Sequence, residues 1–484
     1  MKTEDAGGTG LTGVPAQERA EVGEGRAWYA VGILLVAYIF SIMDRQILTL
    51  LVGPIQHTLG VNDTLMGTLH GFTFAAFYAL AGWPIARMID RGDRRLVIAL
   101  GIAMWSLATA AGGLATEYWH LLFSRIGVAV GEAVLIPGTV SLIADLFPAR
   151  RRALAMTVFG ASGPIGSGLG LVAGGAVLGM FTVAPPVLPW LGALHPWQAV
   201  FILLGMPGLV VALLMLAVPE PRNDRGARPA PGEGCPEGRA CEPDVPVRVL
   251  TRYLAENRRT VISFMIGSGF FYACVYGWSS WAPSYFVREF GWKYSEIGLL
   301  LGVVLATAGP AGALIGGGLG TFLKGRGVAH AYLWVAIAAS VGITVSTLGM
   351  VSGLNANLSI AGMACATCFS FFLFGAGPSA IQELAPGPVR AQFAALYTGV
   401  VNLLGAGCGP VAVGLLTDYV WRDPAAIKYS IGIVCLVFGV LATLFFRHGF
   451  GPYRQTLKNA VDWRFALAPT PAPAGKTPRA QSSQ

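Results

Sequence analysis

Twelve runs of roughly 18 to 25 mostly apolar residues, centred near positions 40, 76, 105, 130, 167, 207, 273, 306, 341, 368, 404 and 437, leave this chain little choice of solvent. A segment of that length matches the hydrocarbon thickness of a bilayer when it is helical, and a helix satisfies its own backbone hydrogen bonds where no water is available. Composition agrees: of 484 residues 54% are hydrophobic and only 12% charged, with mean hydropathy +0.61, against roughly 25% charged in a soluble domain. The expected fold class is an all-α membrane protein of twelve transmembrane helices. The first 26 residues mix acids, bases and glycines without a short apolar core, so the run from about Trp28 is expected to be retained as the first span rather than removed as a signal peptide.

The bases sort by side. One set of connections carries Arg91, Arg94 and Arg95, then Arg150 to Arg152, the basic stretch from Arg222 to Arg259, Lys324 with Arg326, and Arg390; the other set holds only Arg288, Lys293, Arg422 and Lys428. The positive-inside rule makes the first set cytoplasmic, with both termini on that side of a plasma membrane, the inner membrane if the source is bacterial. The net charge of +8 therefore reports topology, and no nucleic-acid partner is expected. Residues 219–259, rich in proline, glycine and arginine, read as a cytoplasmic linker between a bundle of six spans at 28–218 and another at 260–447. The stretch "VPVRVLTRYLAENRR" within it forms either a surface amphipathic helix or a lead-in to the next span. Residues 1–27 and 448–484 are tails, the second expected to be disordered beyond about Phe450.

The halves repeat one another. "IADLFPARRRA" from Ile143 and "IQELAPGPVRA" from Ile381 share Ile, an acid, Leu, Pro, Arg and Ala at identical spacing, and the same offset carries Tyr38 to Tyr276 and Ser41 to Ser279. Such a parallel six-helix repeat places a transporter's site near mid-membrane between its halves.

Between spans two and three, "GWPIARMIDRGDRRLVI" sets Asp90, Arg91, Gly92, Arg94 and Arg95 in a tight turn. An acid at a helix end can hold a base, or a neighbouring helix N-terminus, in one conformation and release it in another. This loop resembles the signature of the major facilitator superfamily, though one residue shorter between its acid-base pair and its basic pair, and it nominates Asp90, Arg91, Arg94 and Arg95 as a conformational switch. "GASGPIGSGLGLVAGG" in span five resembles that superfamily's glycine-proline motif, at Gly163, Pro164, Gly166 and Gly168; small residues at such spacing let helix backbones approach closely.

The most demanding stretch is "YIFSIMDRQIL", which puts Asp44 and Arg45 inside span one. A charge at mid-membrane costs roughly 2.5 to 3.5 kcal/mol on the insertion scale, so both need compensation. Span four supplies it. Arg125 and Glu132 lie seven residues apart there, on one face but separated by roughly 10.5 Å of rise, too far to pair with each other as helical neighbours. Two acids and two bases on spans one and four can thus converge as an inward-facing cluster, with a purely structural lock as the alternative. A low-dielectric site favours the neutral carboxylic acid, so Asp44 or Glu132 can carry a coupling proton. Arg45 and Arg125 suit a phosphate or carboxylate.

At the repeat-related positions the second half has Ala282, Pro283, Met363 and Ser370. It offers aromatic residues instead, among them Phe371, Tyr276 and Trp281, as candidates to hold a hydrocarbon tail. His70 reads as a hydrogen-bonded core histidine rather than a proton carrier, and Asn402 as a residue that joins helices.

"SRIGVAVGEAVLIPGTVSLIADLFPA" and "WSLATAAGGLA", with the span-one stretch, resemble the Spinster branch of the superfamily, densest over residues 30 to 220. That resemblance implies a lysosphingolipid or lysophospholipid transporter, with Asp44, Arg45, Arg125 and Glu132 at the branch's substrate- and proton-handling positions. The expected activity is proton-coupled alternating access for an amphipathic anion, by a monomer with no cofactor beyond the proton. A carrier of small organic anions, sugar phosphates or drugs is the alternative within transport, and a non-transporting receptor or a channel the alternative outside it. No phosphate-cradling loop, paired metal-ligand spacing or nucleophile constellation points to an enzyme.

Overall fold

The computed structural model describes residues 23–184, 187–188, 192–221, 247–386 and 389–457. Twelve of its helical segments are long and apolar enough to cross a membrane. Spans one to six run over Glu24–Leu59, Asp63–Asp90, Arg94–Gly112, Tyr118–Leu146, Arg150–Val183 and Pro196–Met215; spans seven to twelve over Arg258–Phe290, Tyr294–Gly325, Ala331–Val351, Ala356–Leu384, Gln392–Trp421 and Pro424–His448. The one strand pairing described is a two-residue hairpin ladder, Val187–Leu188 with Gly192–Ala193, between spans five and six.

Local chemistry sets the boundaries. Gly60 adopts a left-handed conformation (φ 64°) that ends span one, and the Asn62 side chain then accepts from the Leu65 amide to start span two. Asp93 caps span three by accepting from the Leu96 amide at 3.1 Å. Spans four and ten are each interrupted at related places: the helix Tyr118–Glu132 stops immediately after Glu132, and Ala356–Ser370 immediately after Ser370. Span seven is interrupted where Pro283 enters its second segment, Ala282–Phe290, whereas span one continues through the matching position, Arg45.

Within the first half, span one packs on spans five and six, and span three on spans four and six; within the second, span seven packs on eleven and twelve, and span nine on ten and twelve. The halves meet along two related seams, span two against span eleven and span five against span eight. Both seams are lined by glycine because backbone meets backbone. A Cβ on Gly71 would collide with the Ala406 carbonyl oxygen, and one on Gly298 with that of Leu171. In span five the motif's glycines divide by helical phase: Gly166 and Gly170 face span one, while Gly168 and Gly175 face span eight.

The halves join at the face opposite the basic loops, called here the far face. One apolar core runs through the second half and across into the far-face ends of spans one, two, four and six, including Leu51, Leu69, Leu121 and Trp197. A separate core, with Ile98, Leu142 and Phe159, stays within the basic-face portion of the first half. Among the described residues, the side-chain hydrogen bonds that cross between halves all lie at the far face. Toward the basic face the partly exposed side chains of Arg45 and Tyr276, which approach one another from the two halves, and the exposed Asp90 mark a vestibule between them.

Of two connecting segments, the first takes one of its two expected forms, a helix leading into span seven, and the second departs from expectation. Val247–Glu256 is a helix that packs Val249, Leu250, Tyr253 and Leu254 onto the second half, with the Tyr253 hydroxyl donating to the Leu384 carbonyl, so its apolar face is buried against protein rather than membrane. Residues 450–457 are helical instead of disordered: Tyr453 is buried, and Thr456 hydrogen-bonds Thr260 at 2.7 Å. Residues 222–246 of the linker, and the tails at 1–22 and 458–484, lie outside the described residues.

Candidate functional site

Asp44 and Arg45, one residue apart, leave span one in different directions and meet two different partners on span four. Arg125 donates through Nη1 to Asp44 Oδ2 at 2.5 Å and through Nη2 to the Asp44 carbonyl at 3.3 Å, while Thr109 donates to Asp44 Oδ1 at 3.0 Å. Both side chains of this pair are buried, 2% and 4% exposed. Arg45 donates through Nε (2.7 Å) and Nη2 to Glu132 Oε2. This second pair is lopsided: the Glu132 side chain is fully buried, whereas that of Arg45 is 35% exposed.

The pairs differ in how completely they are satisfied. Every charged oxygen of Asp44 has a donor. Glu132 Oε1 is buried with no donor in full hydrogen-bonding geometry, and Ser41 Oγ, one turn before Arg45, is buried close enough to Glu132 to interact with it but likewise lacks a well-formed bond. An unmatched buried carboxylate oxygen costs free energy that a proton or a donor would recover. The Arg45 guanidinium lies 4.2 Å from the Phe74 ring centroid and 5.7 Å from that of Tyr78, a stacking that holds its plane while one edge faces open space.

The aromatic candidates separate in the same way. Tyr276 is 36% exposed and close enough to Arg45 to feel its charge, so span seven does present a residue to the cluster. Trp281 does not: it is fully buried and donates to the Pro410 carbonyl at 3.0 Å, so in this conformation it joins spans seven and eleven rather than lining the vestibule. Phe371, half-buried at the interruption of span ten, packs beside Gly309 of span eight and lies 5.9 Å from Phe374.

In the signature loop Arg94 is wholly buried. It donates to Glu220 just beyond span six (Nη2, 2.5 Å), and to Ser141 (2.9 Å) and Asp145 (2.8 Å) on span four. These bonds tie three spans of the same half together, not one half to the other. Arg95 turns back to Asp93 at 3.2 Å, Asp90 is exposed at the vestibule end of span two, and the Arg91 side chain lies outside the described residues. His70 occupies a π-helical turn, Thr68–Phe72, in which its Nε2 is buried with no partner, contrary to the expectation of a hydrogen-bonded core histidine.

A far-face latch escaped the sequence reading. Arg288 of span seven grips Asp63 of span two through both carboxylate oxygens (2.7 and 2.8 Å) and also donates to Gln56 (2.9 Å). Asp418 of span eleven accepts from the Thr64 amide and hydroxyl, both at 2.6 Å, capping the start of span two from the other half. The available signal was Arg288 itself, one of few bases on the base-poor side.

Comparison with known proteins bears on the fold and the family. The family model described as Major Facilitator Superfamily matches residues 34–407. An "MFS-type efflux pump" of Mycolicibacterium smegmatis is 26% identical over 86% of this chain and 90% of its own length. "Protein spinster homolog 3" of Danio rerio is 25% identical over 89% of this chain and 86% of its own. A crystal structure of a bacterial homologue of the human lysosomal transporter Spinster, inward-facing and unoccupied, superposes with TM-score 0.70 at 22% identity, covering 93% of this chain and all of that one.

Proposed function

This chain belongs to the major facilitator superfamily and is a transporter rather than an enzyme, and from that premise we propose that it moves a lysolipid-like amphipathic anion by proton-coupled alternating access. The reading rests on one observation above others: the Arg45–Glu132 pair joins a guanidinium that reaches the vestibule to a buried carboxylate with an unmatched oxygen. An anionic head group that engages Arg45 through its free Nη1 shares the guanidinium's charge and weakens its hold on Glu132, and a buried carboxylate whose partner is weakened favours its protonated form. Substrate and proton then bind as a set, because each removes the reason for the other's absence. Asp44 and Arg125, already saturated, hold span one against span four while this exchange occurs.

Sidedness follows from charge. With the basic loops cytoplasmic, the vestibule opens to the cytoplasm and the latch of Arg288, Asp63 and Asp418 closes the opposite side. The exposed Tyr276 and the apolar second half supply the surroundings a hydrocarbon tail requires.

The test is transport of a labelled lysophospholipid in proteoliposomes with and without a pH gradient. Glu132→Gln keeps the shape of the site but abolishes proton exchange, so gradient-driven accumulation is expected to fall by roughly tenfold or more, with head-group-dependent binding retained. Unchanged gradient dependence removes Glu132 from the coupling. The efflux-pump relative, matched along most of this chain, favours drug export as a second reading. Export of uncharged drugs that survives Arg45→Ala would select it.

A further inference from the structure

The surroundings of Arg45 hold more than the two arginine-acid pairs. Tyr38 lies two helical turns before Arg45 on the same face of span one, Tyr78 stands beside its guanidinium from span two, and Tyr276 approaches from span seven. All three rings are close enough to Arg45 to feel its charge, and Tyr38 and Tyr276 lie close enough to interact with each other. None of the three hydroxyls, nor Arg45 Nη1, has a hydrogen-bond partner among the described residues, whereas Nε and Nη2 are committed to Glu132. The rings themselves are fixed: Tyr38 packs on Phe159 at 5.3 Å and Tyr78 on Phe74 at 5.7 Å. Arg125 offers nothing comparable, being buried with both terminal nitrogens committed to Asp44.

We infer that Arg45 Nη1 and the hydroxyls of Tyr38, Tyr78 and Tyr276 form a cup for the oxygens of one phosphate or carboxylate head, with Arg125 excluded from it. The inference deepens the reading of the chain as a carrier of amphipathic anions and rests on it. Uncommitted donors gathered around a guanidinium suit an oxyanion, which has acceptors to spare and no hydrogens to oppose them. Tyr38 and Tyr276 are also repeat-related positions, so one oxyanion would be held by matching residues of both halves. Binding would then draw the halves together about the ligand, as a substrate-dependent closure requires.

The test uses the purified full-length protein in detergent, titrated with lysophosphatidate, with a monoacylglycerol of the same chain length and with inorganic phosphate. The parent is expected to prefer lysophosphatidate to the neutral lipid. Tyr38→Phe and Tyr276→Phe should each weaken lysophosphatidate by roughly three- to tenfold, leave the monoacylglycerol unchanged and leave the melting temperature unchanged, with Tyr419→Phe, on an exposed part of span eleven, as a neutral control. Phosphate competing as strongly as lysophosphatidate would keep the cup and assign it a small anion instead of a lipid head. An undiminished preference in both phenylalanine variants overturns the cup but leaves the carrier reading intact. Equal binding of the anionic and neutral lipids by the parent overturns both.

Discussion

The two halves of this protein solve one packing problem with different chemistry. At four repeat-related positions the first half places Asp44, Arg45, Arg125 and Glu132, and the second Ala282, Pro283, Met363 and Ser370. Ala282 and Met363 are fully buried core residues, and Ser370 donates to the Ala366 carbonyl of its own helix. The second half therefore shows that six spans of this design pack without charges at these places. Since replacing a buried ion pair by apolar residues is commonly neutral or stabilising, the first half gains no obvious stability from keeping its pairs. Retention of Arg45–Glu132 fits the proposed exchange of an anion and a proton, and retention of Asp44–Arg125 fits the positioning of span one on span four that the exchange needs.

The sharpest way to break this contrast is to give the first half the chemistry of the second. Arg125→Met alone leaves Asp44 buried and unpaired, and should destabilise by about 3 to 5 kcal/mol. Adding Asp44→Ala should restore most of the melting temperature in detergent without restoring transport. A double variant as unstable as the single one would mean that the loss comes from Arg125's packing and not from an unpaired Asp44. The latch tests the junction rather than either half: Arg288→Ala removes a bidentate bond between them and should favour opening at the far face by about 2 kcal/mol. Spin-label distances between the far ends of spans two and eleven would lengthen; unchanged distances would remove the latch from the conformational balance. Smallest is the effect at the related acids Asp145 and Glu383. Asp145 is held by wholly buried Arg94, Glu383 by exposed Lys324. Lys324→Ala should cost less than about 1 kcal/mol in thermal stability, and a cost near that of Arg125→Met would refute the distinction.

The fold was legible because its signals are long and redundant: twelve apolar runs, one charge asymmetry and a repeat that aligns Ile143 with Ile381. The convergence of spans one and four was legible for a simpler reason, that each carries charges lipid does not tolerate. What stayed hidden depends on which way a side chain leaves its helix. Trp281 and Tyr276 lie five residues apart in the same span, yet one is sealed against Pro410 and the other opens to the vestibule. Composition gave both the same standing, and the interruption of span seven around Ser280 and Trp281 decides between them. Arg94 was hidden differently. Its place in a loop nominated it for a conformational switch without naming its partners, and Glu220, Ser141 and Asp145 all come from distant parts of its own half.

Span five bares its backbone on two sides, toward span one through Gly166 and Gly170 and toward span eight through Gly168 and Gly175. Where backbone meets backbone fewer rotamers have to unlock before one helix slips past another, so this seam acts as a bearing and offers little friction of its own. Resistance to motion is concentrated instead in polar clasps at the rim, where a few atoms can set the tempo of the whole machine.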